Sequence, residues 1–112
     1  MKKAFSFLPL LAISSAVQAW DLAFYEGTAC KSAKEIASFS DSKAMSCQNI
    51  DSSVSITAVE ATFNDDNFKI LVYSKTDCAT SGYYNEPATG QCETTGDLFG
   101  YSSQVYKSFK VG

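Results

Sequence analysis

One short pattern occurs twice in this chain and constrains its fold more than any other feature. Residues 22–30 read LAFYEGTAC and residues 70–78 read ILVYSKTDC, so an apolar run, a tyrosine, a threonine and a cysteine recur at an offset of 48 residues. In each copy a second cysteine and then a pair of serines follow. An internal repeat of this kind predicts two copies of one supersecondary unit. Because the repeated segment is short, aromatic and apolar, each unit is predicted to begin with a β-strand.

The beginning of the chain has the pattern of a secretory signal peptide. Two lysines follow the initial methionine, residues 4–16 are mostly apolar, and residues 17–19 place small side chains at the two positions that a signal peptidase reads. The alternative, a transmembrane helix, requires about 20 consecutive apolar residues, and this run is shorter and is interrupted by serines and a proline. We therefore predict a signal peptide at residues 1–19 and one secreted domain at residues 20–112.

The cysteines predict covalent support for a small core. A domain of this size buries a limited fraction of its surface, and the even count of 4 cysteines in a secreted chain predicts two disulfides with three possible connectivities. The repeat favours Cys30 with Cys47 and Cys78 with Cys92, since two similar units should carry the same internal bridge. Each bridge would contribute about 3 kcal/mol. Any pairing across the halves would break the argument for two like units and leave only a secreted, disulfide-stapled β domain of unknown role.

Charge limits the classes of partner. The whole sequence has 9 Lys+Arg and 12 Asp+Glu, and removal of the two lysines of the signal peptide leaves 7 against 12, a net charge of −5. All the cations are lysines, so the chain has no arginine for bidentate phosphate recognition. An acidic domain also repels polyanions and anionic lipid. We expect no nucleic-acid binding, no stable membrane insertion, and a monomer whose partner is an extracellular protein or a cell-surface component.

Period-two patterns and short apolar runs predict a mainly β protein. The predicted strands are residues 21–26, 43–48, 54–63, 68–74, 91–95 and 104–111. The polar segment 64–67 predicts a turn that joins the third and fourth of these strands into a hairpin, with a bulge inside the third. Asp65 and Asp66 are interpreted as part of this turn and not as a catalytic or metal-binding pair. Lys107 lies on the apolar side of the last strand, which predicts an edge strand.

Residues 31–38 are compatible with a helix. Ser32 and Glu35 lie three positions apart and could form a capping box at its N-terminus. A solvated loop is an equally good interpretation of this segment, and the sequence leaves both alternatives open.

Three tyrosines are candidate partner-binding residues. The loop at residues 80–90 contains glycine, asparagine and proline together with Tyr83 and Tyr84, and such aromatic residues are unusual on a solvated surface. With Tyr101 they could form a contact surface, because tyrosine offers apolar area and a hydroxyl at a low cost in side-chain entropy. The alternative is that these rings cover the ends of the folded domain.

The repeat also carries a resemblance to a known family. Two units that open with an apolar strand, Tyr, Thr and Cys and later contain Ser-Ser before an alternating strand resemble the Greek-key motifs of βγ-crystallin-type domains. The resemblance implies a small disulfide-stapled Greek-key β-sandwich built from two similar motifs, at about residues 20–64 and 65–112. With its signal peptide, the cysteine-bearing form is similar to small secreted fungal proteins of this fold, which include killer-toxin-like proteins, antimicrobial proteins and candidate effectors.

The resemblance implies a function outside the cell. We expect a secreted, non-enzymatic interaction protein, a fungal effector or toxin-like protein acting on a host or a competitor. A cell-wall or surface-associated structural protein and an antimicrobial protein are the alternatives. An enzyme is not expected, because the chain has no histidine and its cysteines are assigned to disulfides. A glycosidase with two carboxylates stays formally open, although a domain this small offers little room for a cleft.

Metal binding is not expected. Many βγ-crystallin motifs bind calcium through two Asn/Asp, two free positions, Ser/Thr and Ser. The matching windows here are residues 48–53, which lack one of the two Asn/Asp, and residues 98–103, which lack both. Asn49, Asp51 and Ser53 could contribute at most to weak calcium binding, since calcium requires several oxygen ligands. Zinc is excluded by the cysteine spacing and the lack of histidine. No cofactor is predicted.

Overall fold

Eight β-strands and little helix make up the fold. The computed structural model describes residues 19–31 and 34–112, so the predicted signal peptide lies outside the described residues apart from its last position. The strands are β1 (Trp20–Glu26), β2 (Lys34–Asp41), β3 (Met45–Asn49), β4 (Ala58–Thr62), β5 (Ile70–Tyr73), β6 (Tyr84–Asn85), β7 (Cys92–Thr94) and β8 (Ser108–Val111). A 3₁₀ turn spans Thr76–Cys78 and a single-turn helix, α1, spans Thr95–Phe99. The expectation of a mainly β protein is confirmed.

The strands form two four-stranded sheets whose strand pairs are all antiparallel. The first sheet has the order β2-β1-β4-β7, and the second has the order β6-β5-β8-β3. If β1 to β4 are taken as one half and β5 to β8 as the other, both sheets therefore have the same order. In the first sheet, β2, β1 and β4 of the first half are followed by β7, the third strand of the second half. In the second sheet, β6, β5 and β8 of the second half are followed by β3, the third strand of the first half. The two halves thus exchange one strand each.

The core lies between the two sheets. Trp20, Leu22 and Phe24 alternate along β1 with more exposed residues and are almost completely buried, as expected for a strand with one face against the core. From the other sheet, Phe109 on β8 contacts these rings, with centroids 6.2 Å from Trp20 and 5.8 Å from Phe24. Phe39 on β2 packs on the same Phe109 ring at 4.7 Å. Aromatic contacts therefore join the inner faces of both sheets.

Residues 34–41 form a strand, so both predictions for residues 31–38 are wrong from Lys34 onward, and Ser32 lies outside the described residues. Pairing with β1 decides this, since β2 matches β1 along its length from Trp20–Asp41 to Glu26–Lys34. Phe39, directly opposite Leu22, is then brought against the core. Strand pairing and burial override the local helix preference here.

The predicted hairpin across residues 64–67 is also wrong. The turn itself forms, with the Asn64 side chain accepting a hydrogen bond from the Asp66 N–H at 2.9 Å, but β4 belongs to the first sheet and β5 to the second. The turn therefore connects the two layers. Residues 54–57 lie outside any strand, so the predicted bulge is absent from β4. Apolar alternation determines which face of a strand is buried, but it does not determine which sheet the strand joins.

β8 is a central strand, not an edge strand, because it lies between β3 and β5. Lys107 precedes the strand and is exposed, so its charge never enters the apolar face. Within the strand, Ser108, Phe109 and Val111 are all buried.

The disulfides join the halves, so the predicted pairing within each half is wrong. Cys30 is bonded to Cys92, and Cys47 is bonded to Cys78. The reason is the strand exchange, because β3 carries Cys47 into the second sheet and β7 carries Cys92 into the first. Each bridge joins the first cysteine of one half to the second cysteine of the other, so both bridges are still equivalent. Such a pairing was expected to break the argument for two like units, and the bridges no longer support that argument in the form in which it was made. Because the strand exchange makes both bridges equivalent, duplication of one unit stays a hypothesis.

A second feature repeats in both halves. The Thr57 hydroxyl donates to the Gly27 carbonyl at 2.6 Å and accepts from the Gly27 N–H at 3.2 Å. The Ser108 hydroxyl donates to the carbonyl of Lys75, which corresponds to Gly27 at the offset of 48, and accepts from the Cys78 N–H at 3.0 Å. In each half, a hydroxyl at or just before the fourth strand forms hydrogen bonds with the backbone of the segment that follows the first strand.

Candidate contact surface

All three tyrosines proposed from the sequence are exposed. Among the described residues, the large apolar side chains with substantial exposure are Val54 at 37%, Tyr83 at 40%, Tyr84 at 48% and Tyr101 at 55%. Exposed aromatic rings deserve an explanation, because they are enriched where proteins bind partners.

Backbone hydrogen bonds fix the position of Tyr83. Its N–H donates to the Ser74 hydroxyl at 2.9 Å, and its carbonyl accepts from the Ser74 N–H at 2.9 Å. Ser74 follows β5 directly, and Tyr83 directly precedes β6, so the tyrosine is held at the end of the β5–β6 pair.

Tyr101 is positioned by the end of α1. The helix begins with a capping box, in which the Thr94 hydroxyl accepts from the Asp97 N–H and the Asp97 carboxylate accepts from the Thr94 N–H. It ends at Gly100, whose φ of 84° is a left-handed conformation that favours glycine. Tyr101 comes next, and its carbonyl accepts a hydrogen bond from the Gln104 N–H at 3.3 Å.

Tyr83 and Tyr101 lie side by side, and we call them the tyrosine pair. Their ring centroids are 5.2 Å apart with an angle of 42° between the planes. Tyr83 also stacks on Phe99 of α1 at 6.1 Å, and Phe99 in turn contacts the ring of Tyr106 at 5.3 Å. Phe99 and Tyr106 are both buried. The exposed pair therefore rests on a packed aromatic layer.

Tyr84 does not join this pair. Successive residues of an extended chain point to opposite sides, and the ring of Tyr84 stacks on Tyr73 of β5 at 5.5 Å with an angle of 23°. Tyr73 is itself buried. The structure thus brings together two of the three predicted tyrosines and gives the third a separate role in covering β5.

A groove lies next to Tyr83. It has a volume of about 440 Å³ and is lined by Ser74, Lys75, Ser81, Gly82, Tyr83 and Gln104. We call it the mixed groove, because an aromatic ring, hydroxyls, an amide and an ammonium group line it. The Lys75 ammonium donates to the Ser81 hydroxyl at 3.3 Å across it. Apart from Tyr83, the sequence prediction missed these residues, although all except Gln104 lie in the segment that connects β5 to β6.

The hydroxyl of Tyr106 beneath the pair is a neutral donor. It donates to the Glu93 carbonyl at 3.2 Å. Burial raises the pKa of Tyr106 far above its ordinary value, and the carboxylates of Glu93 and Asp97 raise it further. The same causes, burial first and then Glu35 and Glu60, raise the pKa of Tyr25 on β1.

The residues considered for calcium are partly committed to other bonds. The Asn49 amide donates to the Asp77 carboxylate at 2.9 Å, and its oxygen accepts from the Asp77 N–H at 2.7 Å. Asp51 and Ser53 lie along a different cavity of about 390 Å³, which also contains Lys107. Residues 19–31 and 34–112 contain no group of three or more His, Cys, Asp or Glu that could hold a metal ion.

Two carboxylates at a third cavity are engaged with protein groups. This cavity, of about 520 Å³, has Glu86 and Glu93 among its lining residues. Glu86 pairs with the Lys69 ammonium at 3.5 Å, and Glu93 accepts from the Ala88 N–H at 2.7 Å. Neither carboxylate has a geometry that points to a reaction. All four cysteines are in disulfides, so none provides a free thiol.

No protein family, curated protein or solved structure matches this chain. In the part of the chain that the structure describes, no helix is long and apolar enough to span a bilayer.

Proposed function

We propose that this protein is a secreted, non-enzymatic interaction protein, of effector or toxin-like type, that acts on the surface of a host or competitor cell through the tyrosine pair. The observation that carries the proposal is the exposed, side-by-side packing of Tyr83 and Tyr101 on a buried aromatic layer. A rigid aromatic pair can bind a partner without losing much side-chain entropy.

The scaffold beneath the pair supports this role. Two disulfides close long loops in a chain of 112 residues, as in small secreted domains that must persist outside the cell. The pair itself is attached to β6 and to α1, and sites on ordered elements keep their geometry better than sites on free loops.

We further propose that the fold is a Greek-key β-sandwich of βγ-crystallin-like type. In support, the fourth strand of each half returns beside the first, as β4 does beside β1 and β8 beside β5. A return of the fourth strand to the first is the defining connection of a Greek key. The equivalent disulfides and the equivalent hydroxyl contacts of Thr57 and Ser108 support a duplication of one motif.

The test is binding of the fluorescently labelled secreted protein to intact fungal, plant and bacterial cells. The double variant Tyr83→Ser/Tyr101→Ser should lose binding to the cell type that the parent protein binds. Tyr84→Ser is the matched control, because it also removes an exposed tyrosine but leaves the pair intact, and it should bind like the parent.

Folding is checked in parallel by urea denaturation of each variant. If the double variant is folded and binds as well as the parent, the tyrosine pair is not the contact surface. If it unfolds, the single variant Tyr101→Ser, whose ring is the more exposed of the two, replaces it in the same comparison.

A further inference from the structure

The chemical class of the ligand can be inferred from the tyrosine pair and the mixed groove together. This inference rests on the proposed function and specifies what the contact surface binds.

The exposed apolar area is too small for a standard protein interface. A tyrosine can bury about 150–250 Å², so rings that are 40% and 55% exposed offer roughly 140–240 Å² together. A standard interface buries about 800 Å² on each partner, of which somewhat more than half, roughly 450 Å², is apolar. Among the described residues, the other exposed large apolar side chains are Tyr84, which stacks on Tyr73, and Val54, which lies along a different cavity. The surface therefore suits a ligand that needs one or two aromatic faces.

Polar side chains that can form hydrogen bonds line the groove beside the pair. Ser74 is only 7% exposed, lines the groove and accepts a hydrogen bond from the Tyr83 N–H. Its hydroxyl donates to no other residue within the described parts of the chain. A buried hydroxyl whose donor is unused is costly unless a water or a ligand accepts from it. Lys75, Ser81 and Gln104 add further polar groups to the same groove.

Gly82 keeps this hydroxyl accessible. A Cβ atom at position 82 would lie 2.7 Å from the Ser74 hydroxyl oxygen and 2.9 Å from Cγ of Lys75. Any side chain there would fill the floor of the groove or displace both neighbours.

A sugar ring matches this combination of an aromatic face and polar groups. A pyranose presents C–H groups on its faces, which pack on aromatic rings by dispersion and apolar burial, and hydroxyls on its rim. In β-linked sugars of gluco configuration all ring substituents are equatorial, so both faces carry only C–H groups. The net charge of −5 on the predicted mature chain disfavours acidic polysaccharides. We propose that the tyrosine pair and the mixed groove bind a pyranose unit of a neutral, β-linked, gluco-configured cell-surface polysaccharide.

The experiment is a titration of the secreted protein with defined oligosaccharides, followed by calorimetry and by NMR chemical shifts. The probes are hexasaccharides of β-1,3-linked glucose and of β-1,4-linked N-acetylglucosamine, with an oligogalacturonate as the acidic comparison. At least one neutral probe should bind, and the oligogalacturonate should bind at least about tenfold more weakly.

Variants assign the site. Tyr101→Ala should weaken binding about tenfold, as expected for the loss of one stacking ring, while Tyr101→Phe keeps the ring and should bind as the parent does. Gly82→Ala should also weaken binding, because its Cβ would fill the groove or displace the Ser74 hydroxyl that accepts from the Tyr83 N–H. Tyr84→Ala, which removes an exposed ring outside the groove, should have no effect.

Three results would overturn the inference. The first is binding that persists in both folded variants, Tyr101→Ala and Gly82→Ala. The second is equal affinity for the oligogalacturonate. The third is no affinity for either neutral probe while cell binding still depends on the tyrosine pair, in which case the proposed function stands with a different ligand. If cell binding does not depend on the pair, the proposed function fails as well.

Discussion

The disulfides between the halves lead to a quantitative prediction about stability. Removing one bridge by a double substitution, Cys30→Ala/Cys92→Ala or Cys47→Ala/Cys78→Ala, should destabilise the domain according to the loop that the bridge closes. The sequence separations are 62 and 31 residues, but the Cys47–Cys78 bridge lies inside the Cys30–Cys92 loop and shortens that loop by about half. With the other bridge kept, restriction of the unfolded chain is therefore worth about 3.7 kcal/mol for Cys30–Cys92 and about 3.1 kcal/mol for Cys47–Cys78. Bridges within the halves would be worth about 3 kcal/mol each.

Burial makes the two double variants differ further. Cys30 is buried and Cys47 is exposed, so replacing Cys30 also removes packing contacts in the core. We expect Cys30→Ala/Cys92→Ala to lose about 5 kcal/mol and Cys47→Ala/Cys78→Ala about 3 kcal/mol. A domain of this size is typically stable by about 5–14 kcal/mol, so either loss is a large fraction of the total and the first variant should have the lower urea midpoint.

Urea denaturation measures both values, with Trp20 as the probe. It is the single tryptophan of the chain and is completely buried, so its fluorescence reports global unfolding. With a slope of about 1–1.5 kcal/mol per molar urea, the midpoint of the Cys47→Ala/Cys78→Ala variant should fall by about 2–3 M. Non-reducing peptide mass spectrometry of the parent identifies the bonded pairs directly. Bridges within the halves, or a larger loss for Cys47→Ala/Cys78→Ala than for Cys30→Ala/Cys92→Ala, would refute this reasoning.

Three further predictions concern single side chains. Ser108→Ala should lower the free energy of unfolding by about 2–3 kcal/mol, because it leaves two backbone groups without their partner in a buried site. Thr57→Val changes the equivalent but less buried position and should lower it by less. Urea midpoints measure both losses. Trp20→Phe should lower the free energy of unfolding by about 2–3 kcal/mol, since it removes core volume and the hydrogen bond of 2.7 Å from the indole N–H to a backbone carbonyl. Circular dichroism follows the unfolding of this variant. Burial raises the pKa of Tyr106 in the folded state above its ordinary value of 10.0, so the unfolded chain loses this proton first. The free energy of unfolding therefore falls as the pH rises above 10. Between pH 9 and pH 11 the parent should lose about 1.4 kcal/mol more than Tyr106→Phe.

Each of these predictions has its own contrary result. Equal losses for Ser108→Ala and Thr57→Val would show that burial does not set the cost of the missing hydroxyl. A Trp20→Phe protein as stable as the parent would mean that the indole is not a core anchor. Parallel pH profiles for the parent and Tyr106→Phe would show that the Tyr106 hydroxyl ionises equally well in the folded and unfolded chains.

The sequence correctly predicted the features that depend on composition and on short-range pattern. The short, aromatic and apolar run at residues 21–26 predicted a strand, which β1 confirms. The even cysteine count predicted two disulfides. The loop composition around Tyr83 and Tyr84 left two interpretations open, a contact surface or rings that cover the end of the domain, and the exposure of both rings agrees with either.

Only the tertiary structure decided which strands pair and which cysteines bond. The pattern of β3 and β7 shows that they are strands but contains nothing about the sheet they enter, and this choice determines both disulfides. Residues 34–41 likewise become a strand because β1 offers a free edge. The mixed groove is local for the most part, because residues 74–83 connect β5 to β6, and the tertiary structure adds Gln104 from a distant part of the chain. Local sequence sets which face of a strand is apolar, whereas strand partners depend on contacts between residues far apart in the chain.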